Sequence, residues 1–275
     1  MDKSDQNYIG KPKKFNYMKV VIFAGGKGTR ISEESHLKPK PMIEIGGKPI
    51  LWHIMKIYEK HGFTDFIMCL GYKGYAIKEY FVNYFSHNAD ITIELQNNVV
   101  EVHNTNAENF KVTLVDTGLD TMTAGRLQRV ERYINEDTFM LTYGDGVSDV
   151  DITKLLEFHK SHQKLATMTA IIPDGRFGTM DIATDGLVNN FKEKPKGDNH
   201  WINGGFFVLD KKIFSYLKED MTNIMWEQDP LIQLTNDSQL MTYKHYGFWK
   251  CMDAMRDKEE LENLWYSGDA KWKVW

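Results

Sequence analysis

The residues most clearly arranged for chemistry form the stretch VVIFAGGKGTR, residues 20–30, in which an apolar run ends in a glycine-rich turn. Such turns hold phosphates, because backbone amides approach a ligand closely where no side chain intervenes. A P-loop would need GxxxxGK followed by Ser or Thr, but here Lys27 is followed by Gly28. The turn therefore does not have the pattern of a P-loop.

The segment after this turn excludes a second familiar phosphate motif. A dinucleotide fingerprint opens directly into a helix, but Pro39 and Pro41 interrupt the residues that follow the glycines. What remains is a turn followed by a long loop that carries Arg30 and Lys40. This combination predicts a polyphosphate site.

Two carboxylates extend this prediction. Asp145 in LTYGDGV and Asp253 in GFWKCMD each follow an apolar run and are far apart in the chain. Taken singly, Asp-Gly is typical of a turn and Asp253 would serve as a cap for the last helix. Together with the glycine turn they predict a metal and nucleoside triphosphate site, since Mg²⁺ binds few carboxylates along with phosphate oxygens and waters.

A third group of residues fits a sugar phosphate. FKEKPKG contains Glu193 and Lys194, and INGGFFVL contains Asn203 followed by two glycines. Alone, these patterns are typical of a solvated turn and a bulged strand. In combination, a carboxylate can bind sugar hydroxyls, a lysine can bind a phosphate, and glycines allow a close backbone approach.

The elements that must position these residues follow an alternating pattern. Strand-length apolar runs such as MKVVIFA and DFIMCLGY alternate with helix-period segments such as PILWHIMKIYEKHG. This pattern predicts an α/β fold with a parallel sheet and crossover helices. Asp151 is predicted as a helix N-cap, which places GDGVSDV between a strand and a helix, at the sheet end where α/β proteins bind ligands.

The domain organisation is predicted to be simple. Residues 18–275 read as one domain with a C-terminal helical segment, and residues 1–17, which are polar and basic, as a flexible N-terminal extension. From about residue 86 to 116 the alternation gives way to β-like pieces, which predict a β-rich insertion that serves as an oligomer contact or a lid.

Composition limits the class of partner. The net charge of −4 gives no support for binding to nucleic acid or to an anionic membrane, and we expect small-molecule substrates. The two cysteines cannot form a dense disulfide framework, which favours a reducing compartment and a cytoplasmic location. The sequence has no apolar run of membrane-spanning length.

In these motifs the sequence resembles the sugar-1-phosphate nucleotidyltransferases, or nucleotide-sugar pyrophosphorylases. The opening signature GGxGTR followed by a loop and KP stands here as residues 25–30 and 40–41. Further matching motifs from residue 18 to 275 include KPKPMIEIGGKPILWHIMK, TYGDGV, EKPKGD, INGGFFVL, WEQDPL, GFWKCMD and WKVW. They are most similar to the branch that makes CDP-glucose.

The resemblance implies a single Rossmann-like domain with a mixed, mostly parallel sheet. It also implies a homo-oligomer, with a hexamer as one candidate, and the following residue roles. Arg30, Lys40 and Asp145 are the implied catalytic residues, and Asp145 and Asp253 the implied ligands of Mg²⁺. The implied nucleotide contacts are Gly25, Gly26, Gly28, Thr29, Met122, Thr123, Arg126 and Tyr143. The implied sugar-phosphate contacts are Gly178, Glu193, Lys194 and Asn203.

The implied reaction is the in-line attack of glucose 1-phosphate on the α-phosphorus of CTP, giving CDP-glucose and pyrophosphate. A uridylyl- or thymidylyltransferase, or a non-catalytic nucleotide-binding homologue, are the alternatives. A glycosyltransferase is a third, since DVD at residues 149–151 matches a DxD motif, but the glycine turn has no place in that interpretation. Small departures from the branch pattern occur at Ile31, Ala124 and Cys251.

Overall fold

A computed structural model gives the fold of most of the chain. The residues that it describes are 18–31, 34, 36, 38–173, 179–184, 187–192, 201–217 and 219–275. The description excludes the side chains at positions 30, 179–182 and 190–192.

Strands and helices alternate along the described chain. The strands are β1 (Lys19–Ala24), β2 (Glu44–Ile45), β3 (Lys48–Pro49), β4 (Asp65–Leu70), β5 (Ala89–Glu94), β6 (Val99–Thr105), β7 (Lys111–Asp116), β8 (Thr138–Tyr143), β9 (Gly146–Ser148), β10 (Ala166–Ile171), β11 (Thr179–Ile182), β12 (Val188–Lys192), β13 (Ile202–Asp210), β14 (Leu240–His245) and β15 (Trp249–Cys251). The α-helices are α1 (Ile50–Lys60), α2 (Gly74–Val82), α3 (Tyr84–His87), α4 (Thr123–Val130), α5 (Ile152–His162), α6 (Asp229–Asn236) and α7 (Met255–Ser267). Short 3-10 helices cover Thr29–Ile31, Lys40–Met42, Glu131–Tyr133 and Lys211–Tyr216.

The central sheet has the strand order β14-β10-β13-β8-β1-β4-β7. Strand β13 runs antiparallel to both of its neighbours, whereas the other neighbouring pairs are parallel. The predicted α/β fold with a mixed, mostly parallel sheet is therefore confirmed.

Strand β1 lies at the centre of the core and is buried on both faces of the sheet, which accounts for its apolar sequence. Val20 and Ile22 pack into the apolar cluster on one face of the sheet, and Val21 and Phe23 into the cluster on the other. Helix α1 covers the first face and helix α4 the second. A strand buried on both faces needs a nearly continuous apolar run, and this is why MKVVIFA shows no polar alternation.

Helix α1 begins and ends where its sequence predicts. Pro49 stands at its N-cap, and Ile50, Ile54 and Ile57 are fully buried along one side. Gly62 follows with a φ of 86°, which favours glycine. The helical period of PILWHIMKIYEKHG thus corresponds to a helix with one buried side.

The segment between residues 86 and 116, predicted as one insertion, divides into two parts. Strands β5 and β6 pair with each other in a separate antiparallel hairpin. Strand β7 instead pairs with β4 in parallel and forms an edge of the central sheet. Its sequence KVTLVDT reads as a β-strand in either role, so only the tertiary pairing distinguishes them.

Aromatic residues near residue 272 complete the core next to α1. Trp272 is fully buried and stacks on Phe248, with 5.5 Å between the ring centroids. Its Nε1 donates to Nδ1 of His53 at 3.4 Å, and Nε2 of His53 lies 2.8 Å from the carbonyl oxygen of Ile45. A carbonyl can only accept, so the neutral ring carries its proton on Nε2.

This buried histidine predicts a loss of stability in acid. Burial lowers the pKa of His53 to about 4 from an ordinary value of 6.5, so the unfolded chain takes up a proton that the folded chain refuses. As the pH is lowered from about 6.5 to about 4, the free energy of unfolding should decrease, by roughly 3 kcal/mol in total from this residue. His159, whose pKa is also lowered to about 4 by burial, acts in the same direction.

Urea unfolding at several pH values measures this effect. We expect His53→Gln to reduce the slope of the unfolding free energy against pH by the equivalent of about one proton. His87→Gln changes an exposed histidine and should leave this slope unaltered. Equal slopes for the two variants would contradict the assignment to His53.

Two further predictions concern segments rather than the sheet. The proposed extension, residues 1–17, lies outside the described residues and stays a prediction. In the described part of the chain, no helix combines the length and the apolar character needed to cross a membrane.

Candidate active site

A cavity that the glycine turn lines lies at the carboxyl ends of β1 and β8. The chain leaves β1 through α1 to reach β4 on one side, whereas β8 lies on the other side of β1, so the strand order reverses at this point. Open α/β sheets bind ligands at such a switch point. The cavity has a volume of about 280 Å³, and the glycine turn, Lys40 and the residues after β8 line it.

A second cavity, of about 240 Å³, adjoins the first. It lies against β13 and β15 and is lined by Asn203, Gly204, Trp249 and Cys251 among others. Three lining residues are common to the two cavities: Tyr143, Asp145 and Asp253. The site thus offers two adjoining compartments with a shared wall of charged and polar groups.

The pairing of β9 with β15 brings the two predicted carboxylates together. Asp145 stands just before β9 and Asp253 just after β15, and the two strands pair in antiparallel fashion. The amide of Met252 also donates to the carbonyl of Asp145 at 2.9 Å. This backbone register fixes the spacing of side chains that are far apart in sequence.

Lys40 lies between these carboxylates. Its Nζ donates to Oδ2 of Asp145 at 2.7 Å and to Oδ1 of Asp253 at 2.6 Å, and its side chain is only 13% exposed. Burial opposes the charged form, but the neighbouring carboxylates outweigh it, Asp145 first, and raise the pKa of Lys40 well above its ordinary value. The lysine therefore stays protonated at any pH at which the protein works.

The same two carboxylates fit a divalent cation. Ligand atoms of Asp145, Cys251 and Asp253 lie within 4.8 Å of one another. Burial and the nearby Asp145 raise the pKa of the Cys251 thiol, so it is protonated and a poor ligand for a hard cation. The carboxylate oxygens are the donors that hard divalent cations prefer.

The glycines of the turn have different structural roles. A Cβ on Gly25 would lie 2.3 Å from Nη1 of Arg126, so no larger residue fits there. Gly28 has a φ of 62°, in the left-handed region. A Cβ on Gly26 would meet nothing within 4 Å, and this residue is exposed beside the cavity with Thr29.

Arg126 donates most of its hydrogen bonds to the protein backbone. It lines the cavity, but its guanidinium is buried and donates to the carbonyls of Gly25 at 3.0 Å and of Leu70 and Gly118 at 2.9 Å each. The hydroxyl of Thr117 accepts a further bond at 2.8 Å. These bonds hold the glycine turn in shape, and the predicted nucleotide contact of Arg126 stays a prediction.

The remaining predicted residues on the described chain line one cavity or both. Met122, 42% exposed, and Thr123 stand at the start of α4 beside the first cavity. Tyr143 reaches both cavities, and Asn203 lines the second. The Nδ2 of Asn203 donates to the hydroxyl of Tyr143 at 3.1 Å.

Four predicted residues remain without a described side chain. Arg30 belongs to the 3-10 helix Thr29–Ile31, next to the first cavity, but its side chain is outside the description. Gly178, Glu193 and Lys194 lie outside the described residues altogether. Their roles stay predictions.

Sequence reasoning missed two residues at this site. Trp249 lines the second cavity and donates from Nε1 to the carbonyl of Gly204 at 2.7 Å. Glu227 accepts hydrogen bonds from both Thr123 and Tyr143. Both lie in motifs recognised in the sequence, GFWKCMD and WEQDPL, but nothing in the pattern itself assigns a contact to either side chain.

Comparison with known proteins fits this geometry. The model of the family described as "Nucleotidyl transferase" matches residues 19–253. The chain belongs to the nucleotidyl transferase family. As an enzyme of this family, it carries out nucleotidyl transfer, and the two adjoining cavities lie within the matched residues.

Individual relatives of this nucleotidyl transferase differ in similarity. Glucose-1-phosphate cytidylyltransferase of Salmonella typhimurium is 56% identical over 259 residues, which cover 94% of this chain and 100% of the relative. Mannose-1-phosphate guanyltransferase of Saccharomyces cerevisiae is 28% identical over 252 residues, a match that covers 89% of this chain and 63% of the relative. Among solved structures, HddC from Yersinia pseudotuberculosis has a TM-score of 0.66 and 26% identity, with 90% of this chain and 99% of HddC covered.

Proposed function

We propose that this nucleotidyl transferase moves the cytidylyl group of CTP onto α-D-glucose 1-phosphate and thereby makes CDP-glucose and pyrophosphate. The observation that carries the proposal is the pair of cavities that share Asp145 and Asp253, the two carboxylates to which Lys40 donates. The high identity to a glucose-1-phosphate cytidylyltransferase over the full length of that relative supports the choice of substrates.

The two cavities suit two substrates. The cavity beside the glycine turn has exposed backbone at Gly26 for a triphosphate, and the cavity beside Asn203 and Gly204 suits the sugar phosphate. The reacting groups would then meet at the shared wall. This arrangement holds both reactants in one geometry, which removes much of the entropic barrier.

The reaction needs no general base. A phosphate monoester has a second pKa of about 6, so glucose 1-phosphate arrives ionised near neutral pH. Its oxygen forms a bond to the α-phosphorus of CTP, the bond from that phosphorus to the bridging oxygen breaks, and pyrophosphate leaves with the electron pair. None of the nine histidines is needed for a proton transfer.

The chain's own residues would counter the repulsion between two polyanions. Lys40 places a buried, permanently protonated ammonium at the junction. Asp145 and Asp253 would hold Mg²⁺, which supplies positive charge to the phosphates when bound. Arg30, Lys194 and Glu193 are proposed to add phosphate and sugar contacts, as expected from their motifs.

Pyrophosphate release measures the base preference. With glucose 1-phosphate and Mg²⁺, and with CTP, UTP, dTTP, ATP and GTP in parallel, we expect CTP to have the highest kcat/KM. Cytosine and uracil differ at one hydrogen-bonding edge, and one unpaired buried group costs about 1–3 kcal/mol, or roughly ten- to a hundredfold. Chelation of the divalent cation should abolish release with every nucleotide.

Other outcomes have definite meanings. A preference for UTP or dTTP would keep the reaction and change the base. No release with any of the five nucleotides would favour the non-catalytic homologue.

We also propose that the enzyme acts in the cytoplasm as a homo-oligomer. The hairpin of β5 and β6 supports the homo-oligomer, because it exposes apolar side chains at Ile93, Leu95 and Val100, 50%, 88% and 55% respectively. Apolar side chains clustered on a surface mark contact sites. Light scattering on the purified chain gives the mass of the assembly.

A further inference from the structure

Glu227 connects two side chains that line the active-site cavities. It lies in a turn just before α6 and is half-buried. Its Oε2 accepts a hydrogen bond from the hydroxyl of Thr123 at 2.7 Å, and its Oε1 accepts one from the hydroxyl of Tyr143. One carboxylate thus holds residues from the start of α4 and the end of β8.

The connection continues into the second cavity. The Tyr143 hydroxyl accepts a hydrogen bond from Nδ2 of Asn203, whose Oδ1 in turn accepts one from the amide of Gly205 at 2.9 Å. Thr123 lines the first cavity, Asn203 the second, and Tyr143 both. The series Thr123, Glu227, Tyr143 and Asn203, named here the polar relay, therefore runs from one cavity to the other.

The direction of each hydrogen bond in the polar relay is determined. The amide of Trp226 donates to Oγ1 of Thr123 at 2.8 Å, so the single hydroxyl proton of Thr123 is directed to Glu227. A carboxylate only accepts, so Tyr143 must donate to it. Burial, followed by the charge of Glu227, raises the pKa of Tyr143 above its ordinary value and keeps that donor protonated.

The backbone just before Glu227 is bonded to the start of α4. The amide of Met122 donates to the carbonyl of Thr222 at 2.8 Å, and the amide of Ala124 to that of Ile224 at 3.1 Å. Trp226, next to Glu227, is fully buried in the core. The turn before α6 is therefore bonded directly to the first turn of α4, and the carboxylate is not a mobile surface group.

We propose that Glu227 is a positioning residue that couples the nucleotide cavity to the sugar-phosphate cavity through the polar relay. This inference rests on the proposed function for the naming of the two cavities. Glu227 contacts neither substrate; it sets the orientation of Thr123 and Tyr143 together, so that a change at one is transmitted to Asn203. Hydrogen-bonded networks of this kind show coupling beyond the sum of their pairs.

A double-mutant cycle tests this coupling. Thr123 lines only the first cavity, so at saturating nucleotide its replacement should affect glucose 1-phosphate only through the polar relay. We expect Thr123→Val to raise the KM for glucose 1-phosphate about three- to tenfold in the wild-type background, and less than about twofold in the Glu227→Gln background. Glutamine presents an amide donor where a hydroxyl also donates, so it breaks one link without loss of volume.

Matched variants separate positioning from a general structural effect. Thr123→Ser keeps the hydroxyl and should raise the KM for glucose 1-phosphate by less than Thr123→Val does. Glu259→Gln changes an exposed glutamate on α7, away from both cavities, and should leave both KM values unchanged. If Glu227→Gln does not fold, Tyr143→Phe cuts the polar relay at its next link and serves as the second background. Thermal unfolding of each variant reports folding separately from kinetics.

The results distinguish the coupling from the proposed reaction. The cycle uses whichever triphosphate the wild type turns over, so a base other than CTP corrects the reaction without affecting the test. A KM for glucose 1-phosphate that Thr123→Val leaves unchanged, or raises by the same factor in both backgrounds, would overturn the coupling role of Glu227.

Discussion

Asp145→Asn should lower kcat/KM for nucleotidyl transfer by at least about a hundredfold and leave the fold intact. The substitution removes one of the two carboxylates that meet at the junction of the cavities and hold Lys40. The loss of a single preorganised electrostatic contact commonly costs a hundred- to a thousandfold in rate. Pyrophosphate release measures the activity, and circular dichroism with thermal unfolding measures the fold.

The structure gives reasons for the fold to survive. The side chain of Asp145 is 28% exposed, and its backbone carbonyl still accepts from Met252 after the change. Asp269→Asn, the same substitution at an exposed position, provides the control and should have normal activity. Near-normal turnover in Asp145→Asn would remove this residue from the mechanism.

Lys40 and Asp145 are expected to act as a unit. Lys40→Ala should cost about as much activity as Asp145→Asn, because either change removes the ion pair between these two residues. Groups that act together lose little more when both are removed. A double variant much less active than either single variant would indicate two independent roles.

The second large effect is expected on stability. Trp272→Ala should lower the free energy of unfolding by about 3–5 kcal/mol, the usual cost of removing a large buried aromatic side chain. Trp272 is fully buried, stacks on Phe248 and donates to His53. Urea unfolding followed by circular dichroism measures the change.

Two controls make this result specific. Tyr266→Ala removes an aromatic side chain of the same region that is 74% exposed, and should change the stability little. Trp272→Phe keeps most of the volume and should fall between the two. An unfolding midpoint for Trp272→Ala equal to that of Tyr266→Ala would show that Trp272 is not part of the core.

The elements that could be predicted are those in which the residue types follow directly from local burial or capping. MKVVIFA is apolar throughout because β1 is buried on both faces, and Asp151 does cap α5, accepting from the amide of Lys154 at 3.0 Å. Asp145 and Asp253 were expected together because each follows an apolar run. The pairing of β9 with β15 brings their carboxylates to one lysine.

The features that could not be predicted depend on tertiary contacts. Arginine is a typical phosphate ligand, but the guanidinium of Arg126 donates to backbone carbonyl groups at the ends of the strands. Glu227 looks like any surface glutamate until α4 and β8 are placed beside it. The local sequence pattern predicts neither the direction of a long side chain nor the hydrogen-bond partner of a carbonyl group.

The pairing of β9 with β15 has a consequence for the order in which activity arises during synthesis. Ribosomes make proteins from the N-terminus, and a domain generally folds as a unit. A nascent chain that has reached β14 already contains the glycine turn, Lys40 and Asp145, but lacks β15 and Asp253. The partner strand that aligns the second carboxylate emerges only after every strand of the central sheet, so the two carboxylates cannot be brought together before residue 253 has been made.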